Sequence, residues 1–221
     1  MPLATRHSPL VTFYSLALHT STPELGLAIA HFNETCRHQV WDLGRDTSML
    51  LHAYLVDFLL PQTWQDLAFI AVAKGPGGFT GTRIGVVTAR TLAQQLDIPL
   101  FGISTLAAVA WETAKTLENP IAIAVQMPAQ RGEVFAAIYR SDRRQNQLIE
   151  ILPDAVMSLE AWENLLKKQD EVYHLITAEG SLGRYVTSIL EIAQANWNHG
   201  LRPHWSEVLP FYGQHPVPEA I

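Results

Sequence analysis

The densest run of residues able to do chemistry is Lys74-Gly75-Pro76-Gly77-Gly78-Phe79-Thr80-Gly81-Thr82-Arg83-Ile84-Gly85. It follows a strand-like stretch and opens a helical one, where backbone N–H groups at a helix start can cradle a phosphate. Gly75, Gly77, Gly78 and Thr80 are the candidates for such a cradle. No Gly-Lys-Ser/Thr closes the segment as in a Walker loop, and its spacing is not the GxGxxG of a dinucleotide site. The competing use of these glycines is steric: a tight turn, and a helix packed close against its neighbour.

Other candidates offer less. The 9 histidines never fall as H-x-x-x-H, the spacing that aims two imidazoles from one helix at a metal. His199 and His204 lie five apart beside Pro203, and His52 reads as a helix residue satisfied by a neighbour. Cys36, the only cysteine, excludes an internal disulfide, fits a reducing compartment and reads as a packing residue. Arg140, Arg143 and Arg144 follow a strand and read as a solvated loop. A net charge of −6 with scattered basic residues argues against tight nucleic-acid binding by this chain alone. No catalytic residue and no metal ligand is assigned.

Elements must position whatever site exists. With 48% apolar and 16% charged residues the chain is an ordinary globular sequence. No apolar run reaches the ~18 residues needed to span a bilayer, and residues 1–11 carry no secretory pattern, so the expected location is cytoplasmic. Thr12–Leu18, Gly26–Phe32 and Cys36–Asp42 read as strands, with a turn from His19 to Glu24 joining the first two. Helices are expected at Thr47–Leu60, capped by Asp46 or Thr47, at Thr80–Leu96, and from the cap Ser104 to Leu117. Strands are expected at Ala68–Ala73 and Leu100–Ile103. From Pro120 the order restarts: strands at Ile121–Met127, Val134–Tyr139 and Leu148–Leu152, a helix at Leu159–Lys168, a strand at Tyr173–Thr177, a helix at Leu182–Ala195. Setting His19 against Pro128, and Leu25 against Val134, runs the two hairpins in parallel. The division is an N-terminal extension over 1–11, a first lobe over 12–110 and a second, smaller lobe over 111–221. The tail from Trp205 is expected to return as an extended strip.

Two helices are too apolar for a solvated surface. In Thr47–Leu60 the apolar residues from Met49 onward are interrupted mainly by His52 and Asp57, and in Thr80–Leu96 the polar stripe is narrow: Arg83, Arg90 and Gln94. One lobe covers one face of such helices, and the outer face then awaits a partner chain. Met49, Leu50, Tyr54, Ile84, Val87 and Leu92 are the interface candidates. Burial of both helices inside a three-layer domain is the competing reading.

The glycine segment, His-Thr-Ser-Thr at 19–22, Gln-Arg-Gly-Glu-Val-Phe at 130–135 and Leu-Pro-Phe-Tyr-Gly-Gln-His-Pro at 209–216 together resemble the TsaB (YeaZ) family from about Val11 to Pro216. The resemblance implies a two-lobed actin-like, sugar-kinase-like (ASKHA) α/β fold with a degenerate active site. It implies a non-catalytic subunit of the complex that transfers threonylcarbamoyl to N6 of adenosine 37 in tRNAs reading ANN codons. The partners it implies are a TsaD-like catalytic subunit bound through the first two helices, a TsaE-like ATPase, and tRNA reached only through the complex. ATP and a metal would sit on the partner subunits, with no cofactor on this chain. A homodimer through the same helix face is compatible with this role when no partner is present, and the sequence does not choose between homodimer and heterodimer as the resting state. Two positions depart from the family pattern, which has aspartate where this chain has His19 and Pro128. A carboxylate there would help hold Mg²⁺ and nucleotide phosphates; imidazole and proline serve that oxygen-seeking ion poorly. Gly180-Ser181-Leu182-Gly183 either turns under an adenine, as in active relatives, or only starts a helix. The competing function is an independent small-molecule kinase or glycoprotease-type hydrolase of the same superfamily.

Overall fold

The computed structural model describes residues 13–31, 36–168 and 171–213. Strands β1 (Tyr14–His19), β2 (Glu24–His31) and β3 (Arg37–Asp42) form an antiparallel meander. Helix α1 (Thr47–Leu59) leads to β4 (Leu67–Ala73), parallel to β1, and α2 (Phe79–Leu96) leads to β5 (Leu100–Ile103), parallel to β4. The resulting order is β3-β2-β1-β4-β5. Helix α3 (Thr105–Thr116) precedes a second meander of β6 (Ala122–Pro128), β7 (Glu133–Asp142) and β8 (Gln147–Ser158). Helix α4 (Leu159–Lys167), strand β9 (Tyr173–Thr177) and helix α5 (Val186–Asn198) follow. The second sheet runs β8-β7-β6-β9, the order of the first without its fifth strand.

Period-two alternation sorts the side chains into layers. Leu16 and Leu18 of β1, with Ile70 and Val72 of β4, pack in one cluster with α1 and α2. Ala17, Phe69, Ala71 and Ala73 face the other way, into a cluster with α3 and α5 that also takes Ile123, Val125 and Phe135 of the second sheet. Helices α3 and α5 thus fill a middle layer between two sheets, and the alanines let them approach closely. Trp162 of α4 covers the far face of the second sheet, its Nε1–H donating to Gln126 Oε1 at 2.7 Å. The boundary expected between residues 110 and 111 falls inside α3, which packs on β6 and β7.

Local chemistry sets the ends of the elements. Leu51, Leu55, Phe58 and Leu59 make the buried stripe of α1, and each such side chain contributes roughly 1.5–3 kcal/mol on burial. Pro61 stops the helix, and the Arg37 guanidinium donates to the last carbonyls, Phe58 O at 2.6 Å and Leu60 O at 2.8 Å. Neither Asp46 nor Thr47 caps α1 as expected: Asp46 accepts no cap bond, and Thr47 Oγ1 donates to Gly44 O. Ser104 does cap α3, accepting from the N–H groups of Leu106 and Ala107. Its hydroxyl also donates to Asp154 Oδ1 at 2.8 Å, which Tyr139 OH reaches at 2.8 Å, tying β7 and β8 to the start of α3. Burial pushes the Asp154 carboxyl up, against those two bonds, and burial with the Asp154 charge holds the Tyr139 hydroxyl protonated.

Three further expectations change. Strand β8 continues past Leu152 to Ser158, because Pro153 sits at a register shift on an edge strand, where a missing donor is tolerated. Helix α5 starts at Val186 after a 3-10 turn over Gly183–Tyr185, and not at Leu182. His19 closes β1 opposite Gly26 while Pro128 closes β6 opposite Val134, so Gly26 and not Leu25 is the equivalent of Val134. The first turn is one residue longer. The N-terminal extension over 1–11 and the tail after Gly213 lie outside the described residues. From Trp205 the described tail does return along the body, with Val208 buried and Phe211 N–H bonded to Lys74 O at 2.7 Å.

Candidate functional site

The glycine segment is built for contact. A Cβ on Gly77 would lie 2.2 Å from Ser21 O, one on Gly81 2.1 Å from Thr20 O, and one on Gly85 2.1 Å from Thr20 Oγ1. These three residues, four apart, present one bare stripe of α2 and its lead-in to the β1–β2 turn. The turn is then bonded down: Gly78 N–H donates to Ser21 O at 2.7 Å, and Thr20 Oγ1 donates to Gly81 O at 2.8 Å. Gly75, at φ +98°, is covered by Phe211, whose carbonyl oxygen a Cβ would meet at 2.5 Å. Of the proposed phosphate cradle, then, Gly75 and Gly77 are filled by neighbouring backbone and the Gly78 N–H is committed; Thr80 alone stays open. The steric use of the glycines is the one realised.

Beside this contact an interlobe cleft of about 820 Å³ opens. Thr20, Ser21 and Thr22 form one wall with Gly77–Gly81; Met127, Pro128, Gln130 and Phe135 form the other. Thr47 and Ser48 at the start of α1, and Tyr212 of the tail, complete it. Among the described residues the lining is hydroxyl, amide and apolar, with Arg45 its one charged side chain. His19 does not reach the cleft. It shares the face of β1 with Ser15 and Ala17, is fully buried, and neither ring nitrogen meets a hydrogen-bond partner beyond its own backbone. Desolvation lowers its pKa from 6.5 to about 4, so the imidazole is neutral at physiological pH.

That shift has a sign. Between pH 6.5 and about 4 the unfolded chain takes up a proton at His19 that the folded chain refuses. Stability therefore falls on acidification through this window, by about 3 kcal/mol in all if the imidazole stays buried. Chemical denaturation of the parent and of His19→Leu at pH 7 and pH 4.5 measures it. The variant should lose the part of the pH slope that His19 carries, and identical slopes would show that the ring finds solvent.

A second concavity, of about 500 Å³, lies between α1 and α2. Val56, Ile84, Val87 and Leu92 line it with Leu55, Thr88 and Thr91, and Val56 and Val87 are each about half exposed, at 53% and 52%. Ser48 and Ile84 border both this groove and the interlobe cleft, so the two are continuous. Of the six interface candidates, Ile84, Val87 and Leu92 line the groove. Met49, 78% exposed, sits one heptad before Val56 on the same shoulder. Leu50 and Tyr54 turn away and are half-buried; the Tyr54 ring packs on Trp41 of β3, with centroids 4.9 Å apart. The helix is thus covered on two sides rather than one, which a uniformly apolar sequence does not reveal. Val56 was missed for the same reason.

The other candidates are structural. Gly183 is wedged against β2: its N–H donates to Glu24 Oε2 at 2.8 Å, and a Cβ on Gly26 would meet Gly183 O at 2.3 Å. Cys36 is half-buried against the middle layer, and burial with the nearby Glu191 charge pushes its thiol up, away from the reactive thiolate. Arg143 donates to Leu117 O and Glu118 O at the end of α3, and Arg140 pairs with Glu171, so these arginines form no common basic face. His52 is exposed on the groove's rim. Among the described residues no three His, Cys, Asp or Glu side chains converge as metal ligands, and no helix is long and apolar enough to cross a membrane.

Two sheets of matched order, a shared helix layer and a cleft between them define an actin-like, sugar-kinase-like α/β fold. YeaZ from Pseudomonas aeruginosa has this fold, with a TM-score of 0.73 at 22% identity over 90% of this chain and 99% of that one. The family model for TsaD, tRNA N6-adenosine threonylcarbamoyltransferase, matches residues 54–195. The Bacillus subtilis tRNA threonylcarbamoyladenosine biosynthesis protein TsaB is 35% identical over 162 residues, 70% of this chain and 66% of that protein. The Escherichia coli protein of the same name is 30% identical over 128 residues, 52% of this chain and 55% of that protein. The chain belongs to this family, as a TsaB (YeaZ)-type member. The match spans a little under two thirds of the B. subtilis protein's length and just over half of the E. coli protein's.

Proposed function

We propose that this chain is the non-catalytic subunit that binds a TsaD-type enzyme through α1 and α2 and supports the transfer of threonylcarbamoyl to N6 of adenosine 37 in tRNAs reading ANN codons. The observation that carries the proposal is the α1–α2 groove, where Val56, Ile84, Val87 and Leu92 stay partly exposed on two adjoining helices. A soluble protein gains nothing from such a face unless another surface dries it. The relatives' name supplies the pathway, and the TsaD-type partner is the one that the family resemblance implies. A non-catalytic role is supported by the two departures: His19 is buried away from the cleft and neutral, and Pro128 has no donor atom on its side chain. Among the described residues the cleft lining then has no carboxylate to hold Mg²⁺ and phosphates in place. ATP and metal belong to the partner subunits in this reading, a TsaE-type ATPase joins through the complex, tRNA is met there, and the site of action is the cytoplasm. A homodimer through the same groove is the resting form when the partner is missing.

The test is a reconstituted threonylcarbamoylation assay. Omitting this chain should drop tRNA modification to background, and the chain alone should turn over no ATP with Mg²⁺ or Mn²⁺. Undiminished modification without it would refute the activating role. Steady ATP turnover that disappears on changing a cleft residue would refute the non-catalytic one.

A further inference from the structure

The last described residues cross the cleft from one wall to the other. Val208 is buried against Gly102 of β5, and Phe211 N–H bonds Lys74 O just after β4, both in the first sheet's half. Gly213 lies in the second half, where a Cβ would meet Val156 Cγ2 at 2.5 Å and Phe135 Cε1 at 2.8 Å. Between them Tyr212 forms part of the cleft wall and packs its ring on Phe79, the first residue of α2, with centroids 4.5 Å apart. Each anchor depends on a residue that leaves room: Gly75 at φ +98° for the Phe211 carbonyl, and Gly213 at φ +62° for the rings and methyls around it.

We infer that residues 208–213 are a clasp that pins the two walls of the interlobe cleft together and covers its apolar floor, with the Tyr212–Phe79 ring pair as its latch. The clasp is single-stranded, and the hydrogen bond from Phe211 to Lys74 is its only backbone bond to the body past Val208 among the described residues. Segments held by one or two side-chain contacts open locally at far lower cost than the sheets they cross. The latch is the weakest of these contacts, since Phe79 is 40% exposed and Tyr212 only half-buried. Release would free Phe135 and Met127, the apolar floor of the cleft, without disturbing the paired strands behind them. The inference concerns the chain by itself and stands or falls independently of the partner reading.

The experiment uses a reporter thiol on the floor. In full-length protein with Cys36→Ser, Met127→Cys places a thiol in the cleft at a position 8% exposed. Its reaction with N-ethylmaleimide is followed in the parent, in Tyr212→Phe, in Tyr212→Ala and in Gly213→Ala. Labelling should be about ten-fold faster or more in the last two and unchanged in Tyr212→Phe, because the ring contact and the glycine seat form the closure. Hydrogen exchange of β1 and β4 amides is measured alongside and should stay as slow as in the parent. Equal labelling in all four proteins overturns the clasp. So does faster labelling that is matched by faster exchange in β1 and β4, since the tail would then be a general stability element.

Discussion

Val87→Asp is expected to leave the isolated chain folded and to stop it joining a TsaD-type subunit. Val87 is 52% exposed on α2 and lines the α1–α2 groove with Val56, Ile84 and Leu92. In the lone chain an aspartate there stays hydrated, so melting should move by no more than a surface substitution allows, within about 0.5 kcal/mol. Docking would strip that water. An unpaired charge buried at an interface costs about 3–5 kcal/mol, which weakens association by roughly a hundred-fold or more. Calorimetry of the monomer and titration against the partner separate the two effects, and tRNA modification should fall with association. Tyr54→Asp is the contrasting variant. Tyr54 packs on Trp41 away from the groove, so its substitution should lower the melting temperature. Normal pairing by folded Val87→Asp would move the partner site elsewhere on the chain.

Gly81→Ala is expected to destabilise the protein by about 2 kcal/mol or more, against the sign that helix propensity gives. Within an α-helix, alanine for glycine is worth roughly 0.5–1 kcal/mol in favour of the alanine. Here the new methyl would sit 2.1 Å from Thr20 O, a backbone atom of the turn that Gly78 N–H and Thr20 Oγ1 bond in place. Relief requires α2 to lift from the β1–β2 turn, and overpacking of this kind costs about 1–3 kcal/mol before the bonds are counted. Urea denaturation of the variant measures the loss. Because α2 also carries Val87, a shifted helix should weaken pairing as well, which a purely local strain would not. A stabilised Gly81→Ala would mean that the turn yields freely and that the close approach is not what the glycine stripe serves.

Local pattern determined much of this chain. Short apolar or alternating runs located the nine described strands, eight of them to within about three residues at either end, because those runs are written into the residues of the strand itself. Ser104 was legible as the cap of α3, since a hydroxyl before an apolar helical run acts on N–H groups two and three residues away. The repeat of meander, helix and strand about Pro120 pointed to two similar α/β lobes, and the motif set pointed to the TsaB (YeaZ) family. Where a proline sat in an edge strand, as Pro153 does in β8, the local rule stopped the strand too early, because tolerance of a missing donor depends on what lies beside it.

Only the tertiary structure decided what the glycines are for. The same Gly-rich lead into a helix serves a phosphate or a neighbouring turn, and the choice rests on Ser21 O and Thr20 O, more than fifty residues earlier in the chain. It also decided that His19 is entombed rather than turned to the cleft, and that α3 and α5 share one layer between the sheets. The two apolar helices carry the same lesson: composition required that their faces be covered, but Leu50 and Tyr54 differ from Val56 and Val87 only in where β3 and the groove fall around them. Burial is a property of the neighbours brought together by long-range packing. A residue's own sequence context does not contain those neighbours.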